Sequence, residues 1–256
     1  MSGMQAPIVR QAGLAIIATL GLALAAGRAQ AQEALRPEGV TQTGHEVFSH
    51  GVLVEQLEYG FGLDGPNLGR WNAQAWYGSD TDKAWFKTEG ETTRSGRAES
   101  AEVQLLYSRL LSYYWDLQAG LRYDIRPLPN RAYGVIGLQG LAPGMFEVDL
   151  QGFVSERGDL SARAEVSYDL YVTQRLVLQP NLEVNLALQK VEELGTGAGF
   201  NDIEAGLRLR YEFTREVAPY IGVSYERKLG DTARFARNEG EDVGGWQFLT
   251  GVRIFF

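Results

Sequence analysis

The chain contains no cysteine, so neither a disulfide framework nor a thiolate metal site or nucleophile can be part of it. Histidine is almost as scarce. His45 and His50 are the only two in 256 residues, and both precede the first strand-like block. No strand can therefore carry a hydroxyl nucleophile paired with an imidazole base, and the protein is expected not to be an enzyme. Glycines 195, 197 and 199 lack the strand-to-helix setting of a phosphate cradle and read as loop. Beyond residue 31 no run approaches the roughly eighteen apolar residues of a membrane helix. Positive charge is short as well: 24 basic residues face 32 acidic ones, a formal charge of −8, which argues against a nucleic-acid partner.

What is present begins with an export signal. Arg10 precedes an apolar run from Leu14 to Ala26, followed by the small-residue site Ala29-Gln30-Ala31. The run is too short to span a bilayer of about 30 Å, and Gln32 and Glu33 follow it in place of a basic flank. Residues 1–31 are expected to be a signal peptide and 32–50 a short periplasmic segment. The excised part holds two arginines, Arg10 and Arg28, and no acid, so the mature chain is more acidic still.

From residue 51 onward apolar and polar residues alternate in long blocks. In 115–126, Trp115, Leu117, Ala119, Leu121, Tyr123 and Ile125 share one parity, against Asp116, Gln118, Gly120, Arg122, Asp124 and Arg126 on the other. Blocks at 175–189 and 202–213 repeat the pattern. A period of two is a strand with one apolar face. Soluble strands average five or six residues, whereas blocks of about ten or more suit a tilted crossing of a membrane. The polar faces are also too heavily charged to pack between two sheets, but a barrel lumen can hold them.

The fold expected is thus all-β: a transmembrane antiparallel barrel of about twelve strands over residues 51–256. Strands are predicted at 51–60, 69–78, 83–90, 98–110, 113–126, 131–142, 145–156, 160–171, 174–190, 201–214, 216–229 and 244–256. Connectors alternate between tight turns, such as 143–144 and 172–173, and longer segments, such as 190–200 and 230–243. Bacterial outer-membrane barrels have even strand counts, short periplasmic turns and longer external loops. Trp246 and Phe256 share a face ten residues apart, as two aromatic girdles require. A cell outer membrane location, in a Gram-negative bacterium with outer-membrane lipid as the surrounding partner, follows as the expectation.

Several stretches resemble the copper resistance protein B family. They include Trp85-Phe86-Lys87-Thr88-Glu89-Gly90-Glu91, Ala101-Glu102-Val103-Gln104, and Trp115-Asp116-Leu117-Gln118-Ala119-Gly120. Further on are Gly140-Leu141-Ala142-Pro143, Thr173-Gln174-Arg175-Leu176, the run from Gly206 through Lys228, and Gly240-Glu241-Asp242-Val243. The resemblance implies a role in copper resistance and homeostasis, with copper ions bound or handled at the outer membrane and with periplasmic copper-handling proteins as partners. Many members carry a Met- and His-rich N-terminal segment whose thioethers suit Cu(I). Here residues 32–50 contain no methionine, and Met145 alone remains after cleavage. The candidate metal ligands are His45 and His50, with Glu46 between them; copper ion is the one cofactor to expect. A channel or structural barrel without metal specificity is the alternative.

Glu55, Asp116, Asp149, Glu165, Glu183, Glu204 and Glu226 are expected to line the lumen with Lys83, Lys87, Arg163, Arg208 and Arg210. Because both signs interleave along the same strands, a salt-bridged interior is favoured over an open acidic path. N-terminal sequencing of the protein from outer membranes should begin at Gln32. A product that retains residues 1–31 would contradict the signal.

Overall fold

A computed structural model describes residues 48–63, 66–93 and 98–256. The expected signal peptide and residues 32–47, His45 included, lie outside the described residues. The chain forms strands β1 (Ser49–Gly62), β2 (Leu68–Gly78), β3 (Asp82–Thr93), β4 (Ala98–Ser112), β5 (Trp115–Arg126), β6 (Arg131–Ala142) and β7 (Phe146–Ser155). These are followed by β8 (Leu160–Ser167), β9 (Leu170–Tyr171), β10 (Leu176–Ala187), β11 (Gly199–Tyr211), β12 (Val217–Lys228) and β13 (Gly244–Phe255). Successive strands pair antiparallel, except that β8 and β9 both pair with β10; β13 returns to β1, and the sheet closes on itself. Closure is what lipid demands, since an open edge would leave backbone N–H and C=O groups without partners.

Strands β8 and β9 both pair with β10 and are two halves of one stave, so the barrel has twelve staves as the alternation predicts. The break at residues 168–169 has a covalent cause. Tyr168 N–H donates to the Pro180 carbonyl at 3.1 Å, but proline has no N–H to complete the reciprocal bond. A second irregularity is the bulge on β1 between Val54 and Gln56, which shifts the alternation of the rest of that strand.

Burial is inverted relative to a soluble protein. The large exposed residues include Leu57, Leu105, Leu121, Ile136, Leu182 and Ile221, whereas Glu58, Arg70, Glu102, Gln118, Arg208 and Arg210 are buried. The exterior meets lipid, and the interior pairs charge with charge. Aromatic residues collect at both rims, with Tyr77, Tyr113, Phe213 and Phe256 near the short turns and Phe61, Phe200 and Trp246 near the longer loops, all exposed. Among the described residues no helix is long and apolar enough to cross a membrane. Arg126 departs from the expectation of a lumen position, because it lies exposed at the last residue of β5.

The segment 230–243, read from sequence as a loop, contains helix α1 (Gly230–Glu239). Its signal is weak, since Leu229 at the N-cap makes no side-chain cap and only Ala233 and Ala236 are buried. Gly240, at φ 76°, ends it by turning its N–H back to the carbonyls of Ala236 and Arg237. Tertiary bonds hold α1 at the barrel mouth: Leu229 N–H donates to Asn201 O at 2.7 Å, and Gly197 N–H to Thr232 Oγ1 at 2.9 Å.

Leu121 is 68% exposed on the outer face near the middle of β5. Replacing it with Arg should cost about 2–4 kcal/mol of unfolding free energy in lipid vesicles, while Phe213→Arg at the rim should cost about 1 or less. Equal costs at both positions would contradict the placement of the apolar band.

Candidate functional site

The lumen is divided. At the end bearing the longer loops lies a cavity of about 990 Å³, and toward the short-turn end lies a second of about 360 Å³; they share no lining residue. Among the described residues the first is lined by nine carboxylates, including Glu91, Glu99, Asp202 and Glu226, and by one basic side chain, Lys228. At its rim Glu192 is held below the usual carboxylate range by the hydrogen bond that Lys190 Nζ donates to it. The second cavity carries six carboxylates, among them Glu55, Glu147 and Glu165, against Lys87, Arg163 and Arg253.

Between the two stands a septum of paired charges. Arg70 on β2 meets Glu91 on β3 at 2.5 Å, Glu204 on β11 at 3.0 Å and Glu226 on β12 at 3.2 Å. Arg208 on β11 donates to both oxygens of Glu58 at 3.1 Å, and the Tyr220 hydroxyl donates to the same carboxylate at 3.0 Å. The Glu58 side chain is wholly buried. Leu249, also without exposure, fills space nearby on β13. Further round the wall Arg163 on β8 spans the lumen to Glu89 on β3 and to Glu102 on β4 at 3.2 Å. Lys87 on β3 reaches Asp149 on β7 at 2.8 Å.

The register of the strands aligns charge in a way that no single strand reveals. Direct cross-strand partners run Asp116, Gln139, Asp149, Glu165, Glu183, Glu204 and Glu226, one residue on each of seven consecutive staves. Because strands in a barrel tilt, this row climbs from the start of β5 at the short-turn end to the end of β12 beside the acidic cavity. Like charges directly opposite each other are destabilising. Basic side chains from other walls offset the row: Lys83 at Asp116, Lys87 at Asp149, Arg163 at Glu183, and Arg70 at Glu204 and Glu226.

A parallel row is apolar. Gly51, Trp76, Trp85, Leu106, Gly120, Val135 and Phe153 are successive cross-strand partners on the lumen wall. Trp76 stacks between Trp85 at 5.1 Å and Phe255 at 6.1 Å, and its ring lies where a side chain at Gly51 would stand. A Cβ at Gly120 would come within 2.0 Å of the Leu105 carbonyl oxygen, so this close approach of β4 and β5 requires glycine. Arg122 caps the row, its guanidinium 4.6 Å from the Phe153 ring while Glu102 and Asp124 pair its nitrogens at 2.6 Å.

Of the two expected metal ligands, only His50 is described. It is the second residue of β1, not part of an irregular segment, and it is exposed. It has the parity of outward-facing Val52 and lies opposite Tyr77, so the lumen carboxylates are on the other face of the wall. Among the described residues no three His, Cys, Asp or Glu side chains are arranged to hold a metal ion. The acidic positions expected in the lumen are found there. Arg70, Glu91 and Glu58 are residues that the alternation did not single out; the β1 bulge moves Glu58 to the lumen parity that Glu55 loses beyond it.

A family model described as copper resistance protein B precursor matches residues 48–256. The chain is 46% identical over 205 residues to copper resistance protein B of Escherichia coli, covering 80% of this chain and 69% of that protein. It is 37% identical over 220 residues to a copper resistance protein B homolog of Pseudomonas syringae pv. tomato, covering 84% and 74%. The chain belongs to the copper resistance protein B family. A solved NanC porin shares the architecture, with a TM-score of 0.51 and 13% identity over 80% of this chain and 99% of that one. The barrel and the family together place this copper resistance protein B family member in the outer membrane, with a role in copper resistance.

Removal of the Arg208 guanidinium would leave Glu58 charged and uncompensated in the septum. Arg208→Ala should therefore destabilise the barrel by about 3–5 kcal/mol in chemical denaturation. A loss below about 1 kcal/mol would show that the pair is not buried as described.

Proposed function

We propose that this protein acts without catalysis, handling copper as a cation at the outer membrane through its acid-lined mouth and lumen. The observation that carries the reading is the acidic row from Asp116 to Glu226, which joins the two cavities along one continuous register. Carboxylate oxygens attract divalent cations electrostatically and bind them less selectively than thioether or imidazole. Such a wall suits concentration and passage of ions better than tight storage. The cross-lumen ion pairs favour this over a general diffusion channel, because they occupy the bore that a wide pore would leave open.

His45 and His50 are the proposed ligands for tighter binding, near the N-terminus, where periplasmic copper-handling proteins are the proposed partners. Two imidazoles form an incomplete site that Glu46 or a partner chain would complete. Protonation removes imidazole as a ligand, so this binding weakens on acidification.

Deletion of the gene should lower growth in copper and change cellular copper content. Unchanged tolerance with unchanged copper content would overturn the reading. In the purified protein, His45→Ala with His50→Ala should weaken Cu(II) binding in titration while the barrel stays folded. Equal affinity in the double variant would remove the histidines from the account and leave the carboxylates.

A further inference from the structure

The position of Arg70 relative to the two cavities is specific. On β2, Leu68 lines the acidic cavity, and Asn72, two lumen positions deeper, lines the other; Arg70 lies between them and lines neither. On β3 the same step runs from Glu91 in the acidic cavity to Glu89 in the second. Arg70 therefore stands at the partition. Its guanidinium is buried to 6% exposure, yet two of its three carboxylates, Glu91 and Glu226, are about a third exposed and line the acidic cavity. A cation arriving from the long-loop end reaches those two oxygen groups without first entering the septum.

We propose that Arg70 is the gate of a cation route through the barrel, a tethered positive charge seated among Glu91, Glu204 and Glu226 that arriving cations displace. In the resting arrangement the guanidinium both fills the passage and repels a second cation, so the septum is closed by shape and by charge. Cations concentrated in the acidic cavity compete for Glu91 and Glu226. Once those two ion pairs break, Glu204 alone holds Arg70, and the side chain swings off the partition. The acidic row then continues past it, from Glu226 and Glu204 to Glu183 and Glu165, into the second cavity. Glu165, at the end of this continuation, lines the second cavity and lies in direct register with Asp149 and Glu183. Opening is local, as the Glu58–Arg208–Tyr220 cluster keeps β1, β11 and β12 tied while Arg70 moves.

The gate rests on the reading of the lumen as a cation route, and potassium current tests it separately from copper tolerance. The full mature protein would be reconstituted in planar bilayers, with heat-shifted electrophoretic mobility as the check that each variant is a folded barrel. The native protein should show little steady potassium current, because a monovalent ion competes weakly with the guanidinium for Glu91 and Glu226 and only divalent cations displace it. Arg70→Gln should raise the conductance about tenfold or more, with a reversal potential that favours potassium over chloride. Arg70→Lys, which keeps the charge, should stay near native. Should Arg70→Gln fail to fold, Glu91→Gln decides the matter: it removes one ion pair at the cavity wall and should increase the frequency of openings. A folded Arg70→Gln barrel with native conductance, or one that favours chloride, would overturn the gate, as would native behaviour in Glu91→Gln. Increased potassium current together with unchanged copper tolerance on gene deletion would uphold the gate and sink only the copper reading.

Discussion

In a closed barrel bathed by lipid, a charged side chain within the apolar band has to turn inward, and once inside it has to find a partner across a narrow space. That confinement governs this protein. The outer face is surrendered to Leu, Val, Ile and aromatic side chains, so specificity is left to the inward parity of twelve staves. Burying an ion costs several kcal/mol unless its partners compensate. The interior answers with multiply shared charges: Arg70 and Arg163 each serve three carboxylates drawn from different strands.

Such sharing does two things at once. It ties staves that are far apart around the barrel, which stiffens the closed sheet, and it fills the bore. Against this, the acidic row sets like charges in direct register on neighbouring strands, an arrangement that costs stability. A purely structural interior would gain by alternating the signs along that line. The row instead keeps acid next to acid and draws its neutralising charges from other walls. Charges shared in this way across the lumen are what the proposed cation gate at Arg70 draws on.

Much of the barrel was legible because lipid imposes a strict rule. Trp115, Leu117, Ala119, Leu121, Tyr123 and Ile125 must all face out, so alternation located β5 to within two residues, and the ends of the other strands to within three. Where the ladder is interrupted, alternation misleads: the bulge after Val54 carries Glu58 inward, and Pro180 splits one stave into β8 and β9. The septum was not legible for a different reason. Arg70 lies 134 residues from Glu204 and 156 from Glu226, and such partnerships depend on closure and register. The acidic residues could be assigned to the lumen one by one, but their alignment emerges only when seven staves are laid side by side. Helix α1 escaped because its position is set by hydrogen bonds with β11 and the 190–200 loop more than by its own periodicity. His50 shows the converse limit, since a residue type suited to copper turned out to face away from the lumen.

The charge-braced interior depends on energetic coupling across the lumen, and a double-mutant cycle on Arg70 and Glu204 measures it directly. Unfolding free energies of Arg70→Gln, Glu204→Gln and the double variant would be taken in lipid vesicles by denaturant titration. Coupling between groups that share one network should appear as a non-additive term of about 1–3 kcal/mol. Additivity within about 0.5 kcal/mol would mean that the two side chains do not sense each other across the lumen, and the closed, charge-braced interior would have to be abandoned.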